Sequence, residues 1–316
     1  MTNRGYTYRT TIPAGAEGLR PVEYLAATWT HSTREEWGQR VAAGHVLVDG
    51  HPAQAATPLR AGQSIEWRRQ PWREPGAPRH FEVRYQDDHL LVVAKPAGLP
   101  TLPGAGYLDN TLLSAVRDSW PDAAPVHRLG RWTSGLVVCG RTPEARAALS
   151  AVWNTPACSK RYRLLAAGVP TRHRYEIDAP IGPVPYPPLG TLHAASADGK
   201  AAVTRVHVIE QRETSALCDA VLGSGRPHQI RIHLAAIGHP LLGDPLYVTG
   251  GTPRSCEESD AEPPLPGDPG YALHAAEVRV PHPSTGESLV FKSDPPALLR
   301  RRGTREPDSP TSDPFP

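Results

Sequence analysis

The sequence predicts an α+β fold in two parts, on three observations. Residues from about 78 to 298 alternate short apolar runs with turn signals, which reads as many strands with few helices. Residues 1 to about 70 hold one amphipathic helix followed by two strand-like runs. The chain is 316 residues long and 39% hydrophobic, enough to bury one large core and one small one.

In the first part, Arg34 to Ala43 reads as a helix entered from Ser32 or Thr33, with Glu35 and Glu36 in its first turn and Gly44 where it would end. HVLVDG then gives an alternating strand into a hairpin turn at Asp49-Gly50, and SIEWRR gives a second strand after Ala61-Gly62. From Pro21 to Trp67 this helix, turn and strand pattern resembles the S4-like RNA-binding module. The resemblance implies that Arg34 and Arg40 lie on the helix pressed against RNA phosphates. Residues 71–80, rich in proline, form the linker, and 81–298 form the large domain. The segment 299–316, RRGTREPDSPTSDPFP from Arg300, is proline-rich and polar and predicts a disordered tail.

The net charge of +2 shows no strong electrostatic footprint, but of 34 basic residues only Lys95, Lys160, Lys200 and Lys292 are lysines. The arginine fork suits phosphates and bases, although biased codon usage would give the same composition. Cys139, Cys158, Cys218 and Cys256 form no CxxC pair, which argues against a zinc ribbon or a disulfide scaffold. The N-terminal MTNRGYTYRTTIP has no apolar stretch of signal-peptide length, and the aliphatic run Leu90 to Ala94 is strand-sized. A cytoplasmic protein is the expectation.

Several segments carry residues suited to chemistry. HLLVVAKPAGLP is a buried strand running into a fixed turn at Lys95-Pro96. VHRLGRWTSGLVVCGRT packs His127, Arg128, Arg131, Thr133 and Ser134 onto a loop before an apolar strand, where functional groups are favoured. CSKRYRLLAAG carries Lys160 and Tyr162, and GSGRPHQIRIHLAAIGHPLLGDPLY carries Arg226, His228, Gln229, Ile230 and Arg231. DGKAAVT and LHA…HP complete the series. In this order the segments resemble the RluA-type family of RNA pseudouridine synthases, which share HRLD-x-x-TSG, K-x-Y and GR-x-HQIR-x-H.

The resemblance implies a mixed, largely antiparallel central sheet with flanking helices and an active cleft across its middle. It implies an isomerase that needs no cofactor, works as a monomer and acts on structured RNA, ribosomal or transfer. The target uridine must leave its stack before its C1′–N1 bond can be exchanged for C1′–C5. Arg128 is then assigned to the space left by the flipped nucleotide, and Tyr162 to the uracil face, where an aromatic ring permits in-plane rotation. Ile230 closes the pocket, Arg231 supplies fixed positive charge, and Arg226 and His228 contact phosphate or base. His127, Leu129, Thr133, Ser134 and Gln229 complete the substrate-binding set.

One position departs from the family pattern. The fourth residue of HRLD, the aspartate that attacks the sugar or takes its proton, is Gly130 here. The flanking residues match, so no shift of alignment restores the acid. The family arginine pairs with that aspartate, so Arg231 is expected to lack its usual counter-ion and to need another carboxylate, an RNA phosphate or solvent. Asp109 and Asp122 are the nearest acids in sequence, and Asp244 in GDPLY is the weaker candidate because the family uses it to shape the fold. Two readings are open: a synthase whose carboxylate comes from elsewhere, or an inactive RNA-binding or assembly factor on the same fold. A third class, a metal-dependent hydrolase on His228, His233 and His239, fits poorly. Those histidines lack the i, i+4 spacing and intervening glutamate of zinc-binding helices, and no metal is expected.

Overall fold

The structure is a computed structural model that describes residues 2–223, 225–255 and 262–303. The chain divides into two compact units, Met1–Pro75 and Gly76–Pro316.

The first unit is built on local signals. Helix α1 (Pro21–Thr28) precedes α2 (Arg34–Ala42), which opens with a reciprocal cap. The Thr33 hydroxyl accepts the Glu36 N–H at 3.2 Å and the Glu36 carboxylate accepts the Thr33 N–H at 2.7 Å. Strands β1 (Tyr6–Thr11), β2 (Val46–Val48), β3 (His51–Pro52) and β4 (Ser64–Arg69) make an antiparallel sheet in the order β1-β4-β2-β3. Asp49 and Gly50 both take positive φ between β2 and β3, as a two-residue hairpin requires. Ile12, Leu25, Trp37, Val46 and Ile65 form the unit's core. Part of the expected linker belongs to this unit, since Asn3 donates to Glu74 at 2.7 Å and accepts the Trp72 N–H.

The second unit centres on a ten-stranded sheet. Its strands are β5 (Glu82–Gln86), β6 (Leu90–Lys95), β7 (Ala124–Pro125), β8 (Thr133–Gly140), β9 (Ser159–Ala167), β10 (Arg174–Ile177), β13 (Thr204–Gln211), β14 (Ser215–Leu222), β17 (Leu273–Pro281) and β18 (Ser288–Lys292). Hairpins β11 (Ile181–Tyr186) with β12 (Gly190–Ala195) and β15 (Tyr247–Val248) with β16 (Thr252–Pro253) lie outside it. The main path runs β10-β13-β14-β9-β17-β8-β6-β5, with β18 on β17 and β7 on β8. Helices α3 (Leu112–Arg117), α4 (Pro143–Val152) and α5 (Gln229–Ala236) complete the unit. This is the mixed, antiparallel-dominated α+β fold expected.

One strand pairing brings two distant loops to a common edge. β17 runs parallel to β8, with Leu273 opposite Thr133, His274 opposite Ser134 and Ala275 opposite Gly135. Gly135 sits at φ +106°, and a Cβ there would fall 2.3 Å from the Ala275 carbonyl oxygen, so only glycine lets β17 lie this close. Because the pairing is parallel, the residues just before each strand emerge at the same sheet edge.

Residues 299–302 of the expected tail belong to the folded unit. Leu299 is buried, Arg212 donates to the Arg300 carbonyl at 2.7 Å, and the Arg302 N–H donates to Glu210 at 2.9 Å. Packing and hydrogen bonds therefore carry the folded unit to this point, and residues 304–316 lie outside the described residues. No helix among the described residues is long and apolar enough to cross a membrane.

Candidate active site

The loop between β7 and β8 carries Gly130, and its backbone is clamped from the KPAGLP side. The Thr101 hydroxyl donates to the Leu129 carbonyl at 2.9 Å and accepts the Leu129 N–H at 3.2 Å. The Gly98 N–H donates to the Arg131 carbonyl at 2.8 Å. Lys95 is buried, and its ammonium donates to the carbonyls of Pro96, Leu99 and Arg131 at 2.9, 2.8 and 3.1 Å. Burial pushes its pKa down to about 7. Lys95 therefore ties two chemistry-bearing segments together.

Leu129, Tyr162, Ile230 and Tyr271 meet in one apolar cluster. Tyr162 stands on β9 opposite Ala275 of β17 and Ala220 of β14, small neighbours that leave room for its ring. Burial pushes its phenol up to about 12, so it serves as a neutral ring. Ile230 and Arg231 come from the first turn of α5, seven of whose eight residues are buried.

Arg231 is not without a counter-ion. Its Nε donates to Asp244 Oδ2 and its Nη2 to Asp244 Oδ1, both at 2.7 Å, and its Nη1 donates to the Pro266 carbonyl. Both residues are buried. The structure brings Asp244, and neither Asp109 nor Asp122, to this arginine. Asp109 and Asp122 lie before β7, where their carbonyls accept Arg79 and Arg146. Asp244 Oδ1 also accepts the Leu246 and Tyr247 N–H groups, so the scaffold engages both carboxylate oxygens. Burial disfavours the Arg231 charge, but Asp244 and the neighbouring tyrosines more than offset it and the pKa is raised. The Tyr271 ring lies over the guanidinium, with 4.3 Å from Cζ to the ring centroid.

His228 precedes α5 in the left-handed region at φ 55°, an uncommon backbone state for a residue with a side chain. Its Nδ1 meets the Tyr247 hydroxyl at 2.7 Å, and that hydroxyl donates to the His193 carbonyl at 2.7 Å. One hydroxyl has one proton, so it accepts from His228, and the imidazole carries its hydrogen on Nδ1. Burial, Arg231 and Arg128 push His228 down to about 3, leaving it neutral with Nε2 as an acceptor. Arg128 is exposed and contributes positive potential at His228, as a contact for an anionic substrate would. Arg226 is half-buried and donates to the Ala201 carbonyl at 3.3 Å.

Three residues expected to touch substrate are engaged by the scaffold. His127 Nε2 accepts the Val138 N–H at 2.9 Å and its ring stacks on Trp153 at 4.1 Å. Burial and Lys160 push His127 down to about 3. The Ser134 hydroxyl meets His274 Nδ1 at 2.9 Å, locking β8 to β17. The Gln229 amide donates to the Val203 carbonyl and Thr204 hydroxyl at 2.9 and 3.0 Å, while its oxygen accepts the Arg226 N–H. Thr133 is buried, with its N–H bonded to the Gly130 carbonyl at 3.0 Å. His233 and His239 bond the Ala179 and Ala167 carbonyls, as structural histidines do. In the first unit, Arg34 is exposed, but Arg40 packs on Trp37 and Trp67 and donates to Ser32 at 2.8 Å.

Comparison with known proteins identifies the family. Residues 89–236 match the family model described as RNA pseudouridylate synthase. An uncharacterised RNA pseudouridine synthase of Synechocystis is 36% identical over 281 residues, 88% of this chain and 95% of the relative. RNA pseudouridine synthase 5 of Arabidopsis thaliana is 36% identical, with 95% of each chain covered. The ribosomal large subunit pseudouridine synthase D of Nitrosomonas europaea is 34% identical over 92% of this chain and 85% of its own. Human RNA pseudouridylate synthase domain containing 1 shares the fold, with TM-score 0.54 and 23% identity over 70% of this chain and 86% of the human one. Fold, motif order and sequence identity therefore agree that the chain belongs to the RluA-type family of RNA pseudouridine synthases, isomerases that act on RNA.

Proposed function

We propose that this protein isomerises one specific uridine in a structured ribosomal or transfer RNA. The observation that carries the reading is the meeting of Leu129, Tyr162 and Ile230 in one apolar cluster, with Arg231 next to Ile230 in the first turn of α5. A flipped uracil is flat and largely apolar on its faces. It can rest on the Tyr162 ring and turn in its own plane while Ile230 and Leu129 keep water away. Arg128, exposed beside His228, takes the backbone or the vacated stack. His228 Nε2 offers an acceptor to an N–H or hydroxyl of the substrate. No step of the exchange is a redox step, and none requires a cofactor. The protein acts as a cytoplasmic monomer. Its N-terminal unit serves as an S4-like grip on RNA, with Arg34 as one phosphate contact.

Gly130 favours a second reading, an RNA-binding or assembly factor that holds the uridine without isomerising it. Pseudouridine mapping on total RNA from cells with and without the gene separates the two. A site that vanishes on deletion and returns with the wild-type gene is expected. If every site persists while ribosome or transfer-RNA maturation is disturbed, the second reading replaces the first.

A further inference from the structure

Gly130 leaves a post that another side chain fills. A Cβ built on Gly130 would lie 3.1 Å from the Tyr271 hydroxyl and 3.4 Å from Thr133 Oγ1. A carboxylate borne on that Cβ would therefore have to share its space with the tyrosine oxygen. The register explains the proximity: Thr133 pairs with Leu273 in the parallel β8–β17 ladder, so the residues just before both strands emerge at one edge. Tyr271 is 7% exposed and belongs to the buried cluster that also holds Leu129, Tyr162 and Ile230, while its ring covers Arg231. Its hydroxyl has no hydrogen-bond partner among the described residues and is not sealed from solvent. By contrast, both oxygens of Asp244 are occupied by Arg231 and two backbone N–H groups.

We propose that Tyr271 is the acid–base catalyst of this chain, its hydroxyl standing where relatives of the HRLD pattern place a carboxylate. The assignment rests on the isomerase reading of the proposed function. As phenolate, the oxygen takes the proton from ribose C2′. The C–H electron pair becomes the C1′=C2′ double bond while the C1′–N1 pair leaves with uracil. After the base turns on Tyr162, the phenol returns its proton to C2′ and uracil C5 bonds to C1′. The C5 proton is then lost to solvent and N1 gains one, so phenolate, electrons and protons all balance.

The test uses the full-length protein and a transcribed RNA fragment carrying the uridine identified by the deletion mapping. Tyr271→Phe keeps the ring over Arg231 and removes one oxygen. Its kcat is expected to fall by about 100-fold or more, the range of a lost acid–base group, with RNA affinity within about threefold of wild type. Gly130→Asp combined with Tyr271→Phe should recover rate, because the carboxylate then has the space. Tyr271→Phe turning over at the wild-type rate overturns the assignment. A double variant no faster than Tyr271→Phe overturns the shared post. A deletion that removes no pseudouridine overturns the isomerase reading itself, and the assignment with it.

Discussion

Arg231 and Asp244 form a buried two-point ion pair, Nε to Oδ2 and Nη2 to Oδ1, both at 2.7 Å. The pair solves the problem that Gly130 poses at the level of sequence, where the motif arginine has lost its partner. It also withdraws Asp244 from the chemistry, since its side chain has no exposed surface and both its oxygens are engaged by the scaffold.

Breaking the pair from one side strands a buried charge. Asp244→Ala is expected to cost about 3–5 kcal/mol of stability, seen as a lower urea midpoint at unchanged slope. A midpoint within error of wild type would mean that Arg231 is solvated or paired elsewhere.

Three imidazoles make the fold acid-sensitive. His127 and His228 are held down to about 3 and His274 to about 4, in each case chiefly by burial. Their unfolded-state pKa is about 6.5, so below that value the unfolded chain binds protons that the folded one refuses. Stability is complete above pH 6.5 or so and drops as pH falls towards 4 and then 3, by about 1.4 kcal/mol per unit for each histidine. Urea midpoints at pH 7, 6 and 5 test this, in a window where carboxylates stay ionised. A constant midpoint would refute it.

Lys95 ties the KPAGLP turn to the Gly130 loop through three carbonyls. Lys95→Met fills the same space but leaves the Pro96 and Leu99 carbonyls unmet, while the Arg131 carbonyl keeps the Gly98 N–H. A loss of about 2 kcal/mol or more is expected, from a penalty of roughly 1–3 for each buried group. The loop backbone should drift as well, lowering kcat/KM about 100-fold in single-turnover assays. Full activity in a destabilised variant would show that the clamp only stabilises.

Two arginines of one helix should behave differently. Arg34 is exposed, and Arg34→Ala should weaken RNA binding and reduce the slope of log K against log salt by about 0.9. Arg40 packs on Trp37 and Trp67, so Arg40→Ala should lower the melting temperature of the first unit. Equal salt slopes for Arg34→Ala and wild type would take Arg34 out of the interface.

The elements that could be read directly were those whose causes sit within a few residues. Thr33 and Glu36 cap one helix across a single turn, and Asp49-Gly50 closes one hairpin, so type and position come from neighbours. The same holds for motif order, which placed Tyr162, Ile230 and Arg231 in one domain. What a polar side chain does inside that domain was less legible. Ser134 and Gln229 look like ligand contacts on a polar loop, yet each answers to a buried partner: Ser134 to His274, 140 residues away, and Gln229 to Val203 and Thr204. His127 is likewise used by Val138 and Trp153.

By itself, the sequence determined that this chain is an α+β protein of the RluA type and that its VHRLGRWTSG segment carries a glycine at position 130. Only the tertiary structure decided that Asp244 neutralises Arg231, that Lys95 anchors the Gly130 loop and that Tyr271 stands beside Gly130. The physical reason is register. The parallel match of Thr133 with Leu273 sets Gly130 beside Tyr271, and a strand pairing is fixed by the packing of the whole sheet rather than by the residues on either side of it.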